Sequence, residues 1–208
     1  HPTMAYAAMI SAAFFEDDIE ELVKLAVDAV PNTGPFAEGI RDVIRWHEQH
    51  DDWRVTRQLI HDKYWAYKST ELEAPVSIVS SLNNGLTGIM ALLYGEGEYT
   101  KTVGIATSAG YDSDNQAATL GGLIGTMRGM TGLSAHVVTR MKTLDASWEW
   151  EEPFNDTYVN ISRDEIALRT PITEIAARIV AIAEQAIRDN GGRMIHKNGE
   201  IYYVINSD

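Results

Sequence analysis

The sequence contains no cysteine. That removes zinc fingers, iron–sulfur clusters, redox CxxC pairs and cysteine nucleophiles, and it fits a reducing, cytoplasmic compartment. Basic residues are scarce: 17 Lys and Arg stand against 30 Asp and Glu, a formal charge of −13. Such a chain repels a phosphate backbone, so no nucleic-acid partner is expected. No apolar run approaches the roughly 18 residues that cross a bilayer, and no membrane partner is expected. His1-Pro2-Thr3-Met4 lacks the basic n-region of a signal peptide. There is no GxSxG, no Walker loop and no GxGxxG after a strand, which leaves serine hydrolases and nucleotide folds without support. What is present is a 208-residue chain that is 45% hydrophobic. That is enough apolar content for one domain over 1–208, folding without disulfides or metal, and too much for a disordered chain.

The dominant period is helical. Met9, Ile10, Ala13 and Phe14 predict a first helix over about 3–15. Asp17 or Asp18 is placed to cap a second, whose stripe is Ile19, Leu22, Val23, Ala26, Val27 and Val30. Pro31 to Pro35 stops it. A third helix is predicted over 36–49, and a fourth over 53–67, capped by Asp51 or Asp52, with Val55, Leu59, Ile60 and Tyr64 inward. Residues 143–160 read as an irregular loop carrying Trp148 and Trp150, either a binding edge or a cover over the helices. Thr170-Pro171 reads as an N-cap with proline in the first turn. The stripe Ile172, Ile175, Ile179, Ile182 and Ile187 follows, ended by Asn190-Gly191-Gly192. Asn198-Gly199 between two short β-prone runs predicts a hairpin over 193–205 with a type I′ turn. The fold class is all-α, with a small C-terminal β-hairpin.

Between 82 and 130 charge nearly vanishes and small residues accumulate. Helices are predicted over Leu82–Tyr94, Tyr99–Ala109 and about 115–129. On the last of these, Ala117, Gly121, Gly125 and Gly129 recur every fourth residue, beside Ala118, Gly122 and Thr126. Each glycine in a helix interior costs up to about 1 kcal/mol relative to alanine. Close helix–helix packing is the expected reason.

Asp112-Ser113-Asp114-Asn115 lies where one glycine-ended helix stops and this glycine-rich helix begins. Its oxygens suit a hard cation such as Mg²⁺, Mn²⁺ or Ca²⁺. They equally suit a plain N-cap, with Asp114 or Asn115 bonding the free N–H groups of the first turn. An EF-hand fails on Gln116, Ala117 and Leu123 at the positions that need an oxygen ligand, a turn glycine and a bidentate Glu. His47 and His50 read as a solvated helical face rather than a zinc pair. His61, His136 and His196 are isolated.

The run Ala109 to Gly125 resembles the ADP-ribosylglycohydrolase family, whose members carry a Gly-x-Asp-Thr-Asp segment followed by an Ala- and Gly-rich helix. Ile89 to Gly95, then Glu98-Tyr99, resembles the family's preceding apolar helix. His1 to Phe15 resembles its mid-chain His and Ala-rich helix, so the likeness covers about residues 1–130.

The resemblance implies an orthogonal helical bundle with a two-ion Mg²⁺ (or Mn²⁺) site that cleaves the glycosidic bond of ADP-ribosyl or related ribosyl substrates. It implies Asp112 and Asp114 as metal ligands and catalytic residues. Asn115 stands where the family often has Thr. His1, Gly110, Tyr111 and Ser113 would contact substrate. The family's other metal ligands, a Thr-Asp-Asp cluster and an upstream acid, precede its His, and Asp17-Asp18 and Asp51-Asp52 read as helix caps instead. The chain is therefore expected to be the C-terminal portion of a longer protein, inactive alone, which self-associates or pairs with its own N-terminal segment. The alternative is a non-catalytic ligand-binding or interaction module with a degenerate metal site.

Overall fold

The computed structural model describes residues 1–67, 77–133, 157–160 and 167–206. Trp148, Trp150, His136 and the loop before 157 lie outside the described residues. The chain divides into two compact units, His1–Val138 and Thr139–Asp208.

The first unit is a bundle of seven helices among the described residues: α1 Pro2–Ala12, α2 Ile19–Asp28, α3 Pro35–Gln49, α4 Trp53–Tyr64, α5 Ser81–Gly95, α6 Tyr99–Ser108 and α7 Ser113–Gly132. α5 carries no charge and is buried at every position from Asn83 to Gly95. A helix that is apolar on all sides belongs at the centre, and α1, α2, α3, α4, α6 and α7 all pack against it. The close approach expected of α7 occurs here instead. A Cβ on Gly85 would meet the Phe36 ring at 2.6 Å, and one on Gly95 would meet Thr102 Oγ1 at 2.0 Å. Around α7, by contrast, a Cβ on Gly122, Gly125 or Gly129 would meet nothing within 4 Å. Of the stripe, Gly121 alone lies against α6, where a Cβ would meet Tyr99 Oη at 3.4 Å, and the rest is open among the described residues. Gly129 also breaks the helix, at φ +62°.

Local signals set the helix ends. Asp18 Oδ1 accepts from the Glu20 and Glu21 N–H groups, and Asp52 accepts from Arg54 N–H at 3.0 Å. α1 and α4 stop three residues earlier than the periodicity predicts. Val55, expected inside, is 41% exposed, while Thr56 is fully buried and hydrogen-bonded to Tyr94. α3 and α4 are tied by Asp42, whose carboxylate accepts from Lys63 Nζ at 2.6 Å, from Tyr64 Oη at 2.7 Å and from Arg45. Burial acts to raise the Asp42 pKa, but these donors outweigh it and hold the carboxyl below its ordinary value.

The second unit pairs β1 Thr157–Val159 with β2 Arg169–Pro171, antiparallel, with Tyr158 opposite Thr170. Residues 157–159 thus form a strand where an irregular loop was expected. α8, Ile172–Asp189, follows β2 directly. Thr170 does not cap it: the residue is buried in β2, its hydroxyl donates to Ala167 O, and Pro171 takes the cap position. The isoleucine stripe of α8 is largely uncovered, with Ile182 70% exposed. β3 Arg193–Lys197 and β4 Glu200–Val204 form the expected hairpin. Asn198 at φ +55° and Gly199 at φ +82° make its turn, the positive-φ pair that type I′ requires.

Candidate functional site at the start of α7

The chain leaves α6 through Ala109 and enters α7 at Ser113 by a turn in which Gly110 (φ +81°) and Tyr111 (φ +61°) are both left-handed. A tyrosine in that region is strained, and α4 holds it there. The Arg57 guanidinium lies 4.6 Å from the Tyr111 ring centre, and its Nε donates to Ala109 O at 3.0 Å. Trp65 stacks on the ring at 5.2 Å, and His61 Nδ1 shares a 2.7 Å hydrogen bond with the Tyr111 hydroxyl. Burial pushes the Tyr111 phenol above its ordinary pKa, with Arg57 opposing. The Tyr111 side chain thus anchors the turn to α4.

The turn places Asp112 at the N-cap position of α7, yet its side chain makes no cap hydrogen bond. Asp114 and Asn115, the expected caps, lie inside the first turn and are exposed. The plain N-cap reading of this motif is therefore not what the structure shows. Asn84 of α5 fixes the Asp112 backbone instead: its Oδ1 accepts the Asp112 N–H at 2.9 Å, while its Nδ2 donates to Ile78 O and Ser80 O. The carboxylate of Asp112 stays available at the positive end of a helix dipole.

Asp112 and Asn115 border a cleft of about 300 Å³, completed by Gln116 and Thr119 of α7, Ser81 and Asn84 of α5, and Thr3 and Tyr6 of α1. His1 lines an adjoining hollow of about 210 Å³, which shares Pro2 and Ser81 with the first. Of the residues singled out from the sequence, the structure thus brings Asp112 and Asn115 into one cleft, with His1 next door. Asp114, Ser113, Gly110 and Tyr111 do not line it. Sequence reasoning missed Asn84 and Gln116. A buried amide has no periodicity or spacing to reveal its role.

Asp112, Asp114 and Asn115 offer hard oxygen donors on one helical turn, the chemistry a Mg²⁺-like ion prefers. Among the described residues no three His, Asp or Glu side chains gather closely enough to hold an ion. The donors fit one side of a metal site by type, and the described residues do not complete it.

Fold and site together define an all-helical protein with an Asp-x-Asp turn opening a small-residue helix beside a polar cleft. The ADP-ribosylglycohydrolase family model matches residues 1–184, and the chain belongs to that family. Its members are all-α glycohydrolases that act on ADP-ribosylated substrates and are in general metal-dependent. No curated protein and no solved structure matches the chain significantly. No helix among the described residues is long and apolar enough to cross a membrane.

Proposed function

We propose that this chain carries the Asp-x-Asp side of a two-ion Mg²⁺ (or Mn²⁺) site in a hydrolase that cleaves the glycosidic bond of ADP-ribosyl or related ribosyl substrates. The observation that supports it is Asp112: a carboxylate at a helix N-cap position that does not cap, held by Asn84 through its backbone and bordering a polar cleft. Asp112 and Asp114 act as ligands, and Asn115 adds an amide oxygen. The remaining ligands come from outside the described residues. When bound there, the ions would supply Lewis-acid polarisation and lower the pKa of a water. The protein's own residues position. Gly110 and Tyr111 set the turn, Ser113 opens the helix, and its free N–H groups favour an anionic substrate despite the net charge of −13. His1 contacts the substrate from the adjoining hollow.

The test is turnover in the complete protein. Asp112→Asn should reduce ADP-ribosyl hydrolysis by orders of magnitude, while Asn115→Thr should preserve or raise it. Intact hydrolysis in Asp112→Asn would make the assignment wrong. A second reading, a non-catalytic module with a degenerate site, draws on the absence of a third acid or histidine near Asp112 among the described residues. Binding of ADP-ribose by the complete protein without any hydrolysis would favour it.

A further inference from the structure

Arg57 is a cation of the first unit that the fold holds in place without giving it an acid. Among the described residues of that unit every other Lys and Arg pairs with a carboxylate, except Arg41, which donates to Asn32. Arg57 is half-buried, and its Nε donates to Ala109 O at 3.0 Å. Its guanidinium lies against the Tyr111 ring, 4.6 Å from the centre. These contacts use the Nε and one face of the group. The Nη donors have no acceptor among the described residues. Asp62, also on α4, accepts from Gln58 Nε2 at 2.7 Å instead. In a chain with 30 acids against 17 bases, a fixed guanidinium without a carboxylate calls for a reason.

His61 follows one turn later on the same face of α4, at the i+4 position. It too is half-buried. The Tyr111 hydroxyl has His61 Nδ1 as its partner among the described residues, at 2.7 Å. Its proton therefore goes to Nδ1, and the proton of the neutral imidazole sits on Nε2. Trp65, a further turn on, stacks on His61 at 5.3 Å and on Tyr111 at 5.2 Å. The rings fix His61 and leave its Nε2–H without an acceptor among the described residues. Two held donor groups thus stand side by side, and neither borders the cleft of Asp112. Donors alone, one of them charged, suit an anion. The guanidinium fork matches the paired oxygens of a phosphate group. Side chains at i and i+4 start about 5–6 Å apart, which puts one such group within reach of both.

We propose that Arg57 and His61 form a phosphate-binding site on α4, separate from the cleft, with the Arg57 fork as its charge and His61 Nε2–H as its second donor. The proposal goes beyond the hydrolase reading and does not rest on it. The ligand is a phosphate group, carried by the free ion or by a larger phosphorylated molecule. Arg57 and His61 also hold Tyr111, so the site ties its ligand to the turn that carries Asp112.

The 208-residue chain is titrated with inorganic phosphate against chloride at constant ionic strength. NMR follows the Arg57 Nε–H and His61 Nε2 signals, with Arg41 and Arg54 as controls. The two site signals should move together and saturate within about 10 mM phosphate, as an affinity on the order of 1 mM requires. Arg57→Lys keeps the charge but loses the fork, and should weaken binding by about fivefold or more. His61→Phe keeps a ring in the stack and removes the Nε2–H, and should weaken binding by about threefold or more with Arg57 in place. Arg54→Gln should leave it unchanged. The wild-type titration needs no variant, so a poorly folded Arg57→Lys does not spare the proposal. Equal movement at Arg54 and Arg57 means charge screening only and overturns it. So does a titration that does not saturate, or wild-type affinity in Arg57→Lys. ADP-ribose in place of phosphate separates the sources. Movement at Arg57 and in the cleft at Asn115, both lost in Arg57→Lys, assigns the phosphate to a ligand that also enters the cleft. Movement of Arg57 with inorganic phosphate but not with ADP-ribose assigns the site to the free ion. None of these results touches the hydrolase reading, which falls only if Asp112→Asn keeps full turnover.

Discussion

Asn84 and Asp112 lie 28 residues apart in sequence and are joined by a 2.9 Å hydrogen bond from the Asp112 backbone N–H to the Asn84 side-chain oxygen. Asn84 is 4% exposed and bonds Ile78 O and Ser80 O as well. One buried amide therefore pins the start of α5 and the start of α7 together.

Replacing Asn84 by Leu removes all three side-chain bonds; the Asp112 N–H and Ile78 O lose their Asn84 partner, while Ser80 O keeps the backbone N–H of residue 84 at 3.0 Å. Each buried group left unpaired costs about 1–3 kcal/mol, and a domain of this size loses about 2–4 °C per kcal/mol. Asn84→Leu should therefore lower the melting temperature by several degrees, and amide exchange at Asp112 should speed up. Calorimetry and hydrogen exchange measure the two effects. An unchanged exchange rate at Asp112 would show that something else holds the turn.

Asp42 predicts a pH dependence. Lys63, Tyr64 and Arg45 hold its carboxyl below the ordinary value against the effect of burial. A depressed folded-state pKa contributes stability above the unfolded value of about 3.9 and loses it as pH falls through the folded value. At neutral pH, Asp42→Asn should cost about 1–3 kcal/mol, the usual worth of hydrogen bonds to a charged group. The gap between wild type and variant should shrink as pH drops below about 4. Urea unfolding across that range checks it, and a gap that widened on acidification would contradict the sign.

The open space around α7 gives an opposite expectation. A Cβ added at Gly122 or Gly125 would meet no atom within 4 Å, and both residues sit in regular helix. Gly122→Ala and Gly125→Ala should each stabilise this chain by about 0.5–1 kcal/mol through helix propensity. Gly129→Ala should not, because φ +62° strains any side chain. Chemical denaturation of the three variants separates the effects. Loss of stability at Gly122 or Gly125 would mean that another surface covers the stripe.

These cases show where the sequence was legible. Where the cause is local, these readings hold: Asp18 and Asp52 cap, Asn198-Gly199 turns, and Leu82–Tyr94 is helical. Periodicity could mark the glycine stripe of α7 but not which helix would approach it, and the tight contacts fell to Gly85 and Gly95 instead. Thr170-Pro171 looks like a helix start, but pairing with Tyr158 takes Thr170 into a strand, a contact made 12 residues away. The motif at 112–115 was found by its residue types. That Asp112 is free because Asn84 holds its backbone is a tertiary fact with no sequence signature.

The last expectation concerns catalysis by the 208-residue chain itself. Two-ion hydrolysis needs both cations held roughly 4 Å apart with a positioned water, and Mg²⁺ demands near-ideal octahedral coordination at short range. Asp112, Asp114 and Asn115 supply a few oxygens on one turn, Asp114 faces solvent, and no third acid or histidine joins them among the described residues. One side of a site cannot fix two ions. The chain alone should therefore release no ADP-ribose from an ADP-ribosylated substrate at a measurable rate with Mg²⁺ or Mn²⁺. Calorimetric titration of either ion should show weak binding at most, reduced further in Asp114→Ala. Metal-dependent release by the chain alone, abolished by Asp114→Ala, would place a second ligand set within these 208 residues.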